Sequence, residues 1–288
     1  MRRKMPLGVE AVLAKGWFGA HRLLLLRRLT QVSILALFMI SPWLANKIDL
    51  WIIKGNLSSS LTLELIPLTD PFVFIQTLAA GHWPIAEGVI GVIIVSLFYF
   101  LVGGRVYCSW VCPINIVTDT AAWLRDKLNI KGGLVISARS RFWVLIFTLI
   151  ISVVTGKLAW EMINPVSIVF RGLIFGMGLA WGMILAIFLL DLIVSRRAWC
   201  SHLCPVGAFY SLLGKFSLVR VNAYQREKCD DCMDCFIVCP EKQVIKGPLK
   251  GADKNISSFI LSDQCTNCGR CIDICAEDVF KYDLRLKK

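Results

Sequence analysis

Eight cysteines near the C-terminus form two copies of one spacing pattern. Each copy reads Cys-x2-Cys-x2-Cys-x3-Cys, a run typical of two-cluster iron–sulfur domains, where the fourth cysteine ligates the cluster of the other run. The two predicted [4Fe–4S] ligand sets therefore each combine three cysteines of one run with the last cysteine of the other. They are Cys229, Cys232, Cys235 and Cys275, and Cys265, Cys268, Cys271 and Cys239.

Structural zinc is the main alternative for these cysteines, because four thiolates also bind Zn²⁺. The repeated spacing favours iron–sulfur chemistry and predicts a small α+β domain like the bacterial 2[4Fe–4S] ferredoxins. Ala276 stands where the first run has Pro240, which changes the turn without removing a ligand. A chain holding two such clusters is expected to move electrons one at a time.

Four further cysteines lie in a second repeated pattern, Cys-x3-Cys-Pro. Residues 105–113 read RVYCSWVCP and residues 197–205 read RAWCSHLCP. Three interpretations remain open: ligands of an additional metal centre, redox-active dithiols, or packed cysteines at helix ends. The repeated proline and spacing argue against packing alone. The cysteines concerned are Cys108, Cys112, Cys200 and Cys204.

Long apolar blocks must position these elements. The chain has 288 residues, of which 56% are hydrophobic, and a mean hydropathy of +0.65, too apolar for an ordinary soluble domain. Crossing a hydrocarbon core of about 30 Å takes about 20 helical residues. Four blocks approach that length and predict four transmembrane helices: residues 29–45, 85–104, 142–160 and 172–195.

The net charge of +12 follows the membrane topology. Seven Lys or Arg residues precede the first block, six lie in 105–141 and fifteen follow the fourth block, whereas 46–84 and 157–171 together hold four. This positive-inside pattern predicts both termini and the cysteine runs in the cytoplasm of a bacterial inner membrane. The charge then suits anionic lipid head groups, and no nucleic-acid partner is expected. The first block lacks a signal-peptide cleavage pattern and is expected to remain as an anchor.

The membrane part is predicted to be one helical hairpin used twice in the same orientation. Asp70-Pro71 and Asn164-Pro165 precede Cys108 and Cys200 by 38 and 36 residues, and parallel repeats are related by an axis along the membrane normal. The expected fold is thus an all-α bundle of four transmembrane helices with a C-terminal ferredoxin-like domain. The predicted domains are residues 1–28, 29–221 and 222–288.

A quinol site would need apolar walls and a proton acceptor. Ionisable residues in or near the membrane are candidates by default, whereas helix capping is the simpler role for an aspartate before proline. Tryptophans near predicted membrane boundaries, including Trp160, are interpreted as interfacial anchors. The candidate quinol residues are Asp70, His82, Glu87, Glu161 and Asp191.

Taken together, these motifs resemble the NapH family over essentially the whole chain. Stretches that carry the resemblance include CSWVCP at 108–113, WEMINPVS at 160–167 and CSHLCPVGA at 200–208. The resemblance implies a membrane quinol dehydrogenase subunit of the periplasmic nitrate reductase system. It would oxidise menaquinol or ubiquinol and pass electrons to a periplasmic iron–sulfur partner, NapG, and on to the reductase.

Two other functions stay open at this point. Related membrane ferredoxins with Cys-x3-Cys-Pro elements act in copper reduction, so the chain would be a metal reductase or assembly factor. Alternatively, it anchors a redox partner without catalysing anything itself. The resemblance also poses a physical problem, because the predicted clusters are cytoplasmic while nitrate is reduced beyond about 30 Å of hydrocarbon.

Overall fold

The computed structural model describes residues 6–48, 51–130, 132–134 and 136–285, with the side chain of Ile48 left out. Six basic residues used in the topology prediction lie outside these ranges: Arg2, Arg3, Lys4, Lys131, Lys287 and Lys288. The chain forms two compact units, each built from separate stretches of sequence. The first contains the chain up to Thr30, Tyr99–Val111 and the chain from Tyr210, and the second contains Gln31–Phe98 and Cys112–Phe209.

Helix α1 is a 40-residue helix, Val9–Ile48, that includes the first apolar block. It kinks at Gly16, whose φ of 73° is accessible to glycine without a Cβ penalty. Large apolar side chains on α1 stand exposed, among them Leu29, Val32 and Ile40. By length and composition, α1 is the one helix in the described ranges that is long enough to cross a membrane.

The other three predicted spans are shorter apolar helices. Helices α3 (Ala86–Val102) and α5 (Ser140–Thr155) have 17 and 16 residues, and α8 (Gly178–Leu189) continues as a π-helix to Val194. Seventeen residues rise only about 25 Å. The prediction was too long at two glycines: Gly156 (φ 64°) ends α5, and Gly176 (φ 103°) separates 172–175 from α8. None of these three helices is therefore long enough by itself to be a full-length span.

The two repeats share their local structure. Each begins with an Asx-Pro cap, in which Asp70 accepts from the Phe72 amide and Asn164 from the Val166 amide, at 2.9 and 3.1 Å. These caps start α2 (Pro71–Ala79) and α7 (Pro165–Phe175). After α3 and α8, each Cys-x3-Cys-Pro element forms a π-turn followed by another α-helix. The turns are Tyr107–Val111 and Trp199–Leu203, and the helices are α4 (Ile114–Lys127) and α9 (Pro205–Leu213).

The connection between α1 and α2 contains an antiparallel sheet that an all-α prediction missed. Its strands are β1 (Ile53–Gly55), β2 (Ser59–Thr62) and β3 (Ile66–Thr69), in the order β1-β2-β3. In the β2–β3 turn, Leu63 and Glu64 have φ of 51° and 56°. Hairpin turns with positive φ are usually signalled by Gly or Asn, so these residues gave no signal.

The C-terminal part is the small α+β fold that the cysteine runs predicted. Strand β4 (Val219–Asn222) pairs antiparallel with β5 (Lys281–Leu284), and α10 (Asp234–Val238) packs on α12 (Arg270–Ile274). Helix α11 (Gln243–Lys250) closes a core that includes Ile245, Ile260 and Phe280. Strand β4 runs through the predicted domain boundary at 221/222.

Candidate functional site

The two cysteine runs adopt the same backbone conformation. Asp231 and Asn267, each two residues after the first cysteine, have φ of 63° and 46°. Met233 and Gly269, each one residue after the second cysteine, have φ of 65° and 72° and precede α10 and α12. The left-handed residues turn the chain sharply, so the first three thiols of each run face a common point.

Each predicted ligand set lines its own cavity, and no cysteine of one set lines the cavity of the other. The lining of the first includes Cys229, Cys232, Cys235 and Cys275. The lining of the second includes Cys239, Cys265, Cys268 and Cys271. Packing of α10 against α12 brings the last cysteine of each run to the cavity of the other.

The donor set and its spacing fit a cluster better than a single ion. Four thiols with mostly apolar neighbours suit either [4Fe–4S] or zinc. In each set, the last cysteine comes from the other Cys-x2-Cys-x2-Cys-x3-Cys run, which is the ligand pattern of two [4Fe–4S] clusters.

Burial sets the protonation of most of these thiols. Burial raises the pKa of Cys232 to about 11 and that of Cys265 to about 11, and it also raises the pKa of Cys271. At Cys268, burial acts in the same direction, but Arg270 and Arg27 outweigh it and lower the pKa. Since metal binding needs thiolates, loading these sites must release protons.

The first π-turn is hydrogen-bonded to the loop of the second cavity. Arg105, just before the turn, donates to the Glu241 carboxylate at 2.9 Å and to the Gln264 carbonyl at 2.7 Å. Ser109 and Trp110 donate to the carbonyls of residues 266 and 267 at 2.8 and 3.1 Å. The segment that carries Cys108 is thus tied to the loop between Cys265 and Cys268.

The N-terminal part of α1 contacts both cluster helices. The amides of Leu23 and Leu24 donate to the Asp273 carboxylate at 3.1 and 2.9 Å, and the Gly8 amide donates to Asp234 at 3.1 Å. Lys15 donates to the Ile272 carbonyl at 3.2 Å. The N-terminal segment, expected to be a separate region, therefore braces the iron–sulfur fold.

The second Cys-x3-Cys-Pro element packs beside the helix that follows the first. The Cys200 thiol lies 3.8 Å from the Thr118 hydroxyl on α4, and Cys112 and Trp199 pack on one apolar cluster. Cys204 ends the second π-turn. Cys108 belongs to the other compact unit, so a shared four-cysteine centre remains a prediction.

Four of the five quinol candidates have simple structural roles or stand exposed. Asp70 caps α2, and Glu87 and His82 are exposed, with His82 3.2 Å from the Gly156 carbonyl. The Glu161 carboxylate accepts from Ser58 and Asn164 at 3.1 Å each and from Ser167. Asp191 differs, because it is fully buried.

Asp191 lies at one end of a buried contact chain that sequence reasoning missed. Its Oδ1 accepts from the Trp199 amide at 3.0 Å, and the Trp199 ring stacks on Trp160 with centroids 6.2 Å apart. The Trp160 amide donates to the Gln76 Oε1 at 3.0 Å.

The interpretation of Trp160 as an interfacial anchor is wrong, since it is 2% exposed. Trp160 lies on the short helix α6 (Ala159–Ile163), which packs on α5, and the Ala159 amide donates to the Ser152 hydroxyl at 3.2 Å.

Family models match most of the chain. A model described as a 4Fe-4S binding domain matches residues 85–131 and 164–222, and each stretch holds one Cys-x3-Cys-Pro element. A 4Fe-4S dicluster domain matches residues 221–276, which include all eight cysteines of the two runs.

Curated relatives match over nearly their full length. The Ferredoxin-type protein NapH of Haemophilus influenzae is 49% identical over 94% of this chain and 92% of its own. NapH of Escherichia coli is 44% identical over 98% and 96%. The Methylamine utilization ferredoxin-type protein MauN of Paracoccus denitrificans is 52% identical over 96% of each chain. No solved structure matches the chain.

Proposed function

This chain belongs to the family of ferredoxin-type proteins that includes NapH and MauN, and we propose that it is a membrane electron-transfer subunit that oxidises quinol for a partner protein. The observation that carries the proposal is the pair of cavities lined by the crossed cysteine sets. The 4Fe–4S domain matches identify the chemistry, and the hydrogen bonds of the first π-turn connect that chemistry to the membrane repeat.

A membrane location is supported by exposed apolar side chains on four helices. In addition to α1, helices α3, α5 and α8 expose large residues such as Ile93, Phe147 and Leu185. Exposed apolar surface on this scale is characteristic of contact with lipid or a partner. We propose four spans in the inner membrane, both termini in the cytoplasm, and domains at 1–28, 29–221 and 222–288.

Two [4Fe–4S] clusters would be held by the crossed sets already described. When bound, a [4Fe–4S] cluster takes up or releases one electron at a time. The protein supplies burial, hydrogen bonds and charge: Arg105 and Glu241 lie beside the second set, whereas Asp230 and Asp231 line the first cavity. We further propose that Cys108, Cys112, Cys200 and Cys204 provide an additional metal centre, since both copies fall within the 4Fe-4S binding model.

Metal analysis of the purified chain tests this assignment. Under exclusion of oxygen, the expected result is about eight iron atoms per chain from the two runs, with [4Fe–4S] EPR signals after reduction. Replacing Cys232 with serine should perturb one cluster and Cys268→Ser the other, and the double replacement of Cys108 and Cys200 reports on iron beyond eight. Zinc in place of iron, or a colourless iron-free protein, overturns the proposal.

The partner is proposed from the relatives. NapH likeness favours a periplasmic iron–sulfur protein of the NapG kind and, through it, a nitrate reductase. MauN relatives at 52% and 51% identity favour a second candidate, electron transfer in methylamine utilisation. Deleting the gene and measuring growth on nitrate under anaerobic conditions and on methylamine distinguishes the two, because each candidate predicts loss of one growth mode only.

A further inference from the structure

We infer that the head group of a quinol binds among Gln76, Trp160, Trp199 and Asp191. The inference rests on the proposed quinol-oxidising function and assigns its substrate a site. All four residues belong to the second compact unit and form the contact chain described above. Two of them, Gln76 and Trp160, carry no signal in the sequence that marks them as ligand-binding.

Within this series of contacts, three polar atoms are buried without a hydrogen-bond partner among the described residues. They are Gln76 Nε2, Trp160 Nε1 and Asp191 Oδ2. The residues that carry them are 0%, 2% and 0% exposed. Leaving one such atom unsatisfied costs about 1–3 kcal/mol, so three along one contact chain point to a ligand that completes them.

The chemistry of the three atoms matches a quinol or quinone head group. Gln76 Nε2 and Trp160 Nε1 donate, and therefore suit a quinone carbonyl oxygen. Asp191 Oδ2 accepts, and therefore suits a quinol hydroxyl. Trp160 and Trp199 present aromatic surfaces, which favour a flat ring. A site with donors and an acceptor accommodates both oxidation states of the same molecule.

An apolar groove provides room for an isoprenoid tail. A groove with a volume of about 670 Å³ runs along α7 and α8, and its lining includes Phe175, Leu179 and Met183. Met183 also packs on the apolar cluster that Trp199 contacts. The groove therefore reaches the same apolar cluster as the proposed head-group site. A ring with an isoprenoid tail requires such a groove, whereas a small polar ligand does not.

Binding of a short-tail quinone to the cluster-loaded full chain in lipid nanodiscs tests the site. The variant Trp160→Phe removes one N–H and keeps an aromatic ring, and Gln76→Leu removes the amide. One neutral hydrogen bond contributes about 0.5–1.5 kcal/mol, so each variant should raise the quinone Kd roughly two- to twelvefold. Asp191→Asn should slow cluster reduction by quinol while leaving reduction by dithionite unchanged. Trp143→Phe, an exposed tryptophan on α5, is the matched control and should change nothing.

The outcomes separate the site from the function. One outcome is that quinol reduces the wild-type chain, the first two variants keep its quinone Kd, and Asp191→Asn keeps its rate of reduction by quinol. That outcome places the head group elsewhere. In that case the three atoms hold ordered water, and the proposed function stands. A wild-type chain that neither binds quinone nor accepts electrons from quinol overturns both. Iron content and circular dichroism confirm that each variant is folded and loaded before it is compared.

Discussion

Replacing Arg105 with methionine should loosen the loop that carries Cys265 and Cys268. Arg105 and Glu241 form a buried ion pair at 2.9 Å, with side chains 2% and 4% exposed. Removing one member of a buried pair typically costs 3–5 kcal/mol, because the other charge is left uncompensated. The Gln264 carbonyl loses a donor as well. Methionine has a similar length, so the loss is electrostatic more than steric.

Cluster extraction by an iron chelator measures this effect. A cost of about 3 kcal/mol shifts an opening equilibrium roughly 100-fold, since each 1.4 kcal/mol is tenfold. If opening precedes extraction, Arg105→Met should release about half of the ferredoxin-domain iron in a phase roughly 100 times faster than the rest. The slow phase belongs to the other cluster, because neither Glu241 nor the 265–268 loop lines its cavity.

Two comparisons make the experiment decisive. Arg197 is the equivalent residue of the second repeat and pairs with Asp119 at 3.0 Å, so Arg197→Met should leave the extraction of both clusters unchanged. The double variant Arg105→Met with Glu241→Met removes both charges and should recover most of the lost protection. Equal extraction rates in wild type and Arg105→Met would refute the reasoning that this ion pair holds the loop.

Three further predictions concern substitutions at Trp110, Gly104 and Asp70, and the last two include a control variant. Trp110→Phe removes one donor to the Asn267 carbonyl and should speed chelator extraction only about two- to twelvefold, given about 0.5–1.5 kcal/mol per hydrogen bond. Gly104→Ala should abolish folded, iron-loaded protein, because its Cβ would lie 1.8 Å from the Tyr210 carbonyl oxygen. Gly182→Ala, with nothing within 4 Å of the added carbon, should be purified normally. Asp70→Ala should lower the free energy of unfolding by about 1 kcal/mol, because α2 loses its N-cap. Asp70→Asn should keep most of that free energy, because Asn164 caps α7 in the same way.

Local spacing predicts the cysteine sites, and the structure places the cysteines of the two predicted sets around two cavities. The reason is that three ligands lie within one short loop, and left-handed residues such as Asp231 and Asn267 recur at the same places in both runs. The repeat was visible for a similar reason: its caps and π-turns are set by neighbouring residues, such as Asn164 with Pro165.

Tertiary structure alone decided which polar residues meet. Nothing near Gln76 in sequence indicates that its side chain receives the Trp160 amide 84 residues away, or that Trp160 is buried against Trp199. Hydropathy likewise merged 172–175 with α8, because apolar content does not register the backbone break at Gly176. Ligand spacing and helix caps depend on neighbours a few residues apart, whereas the contact chain depends on how α2, α5 and the second π-turn pack, a property of the folded chain.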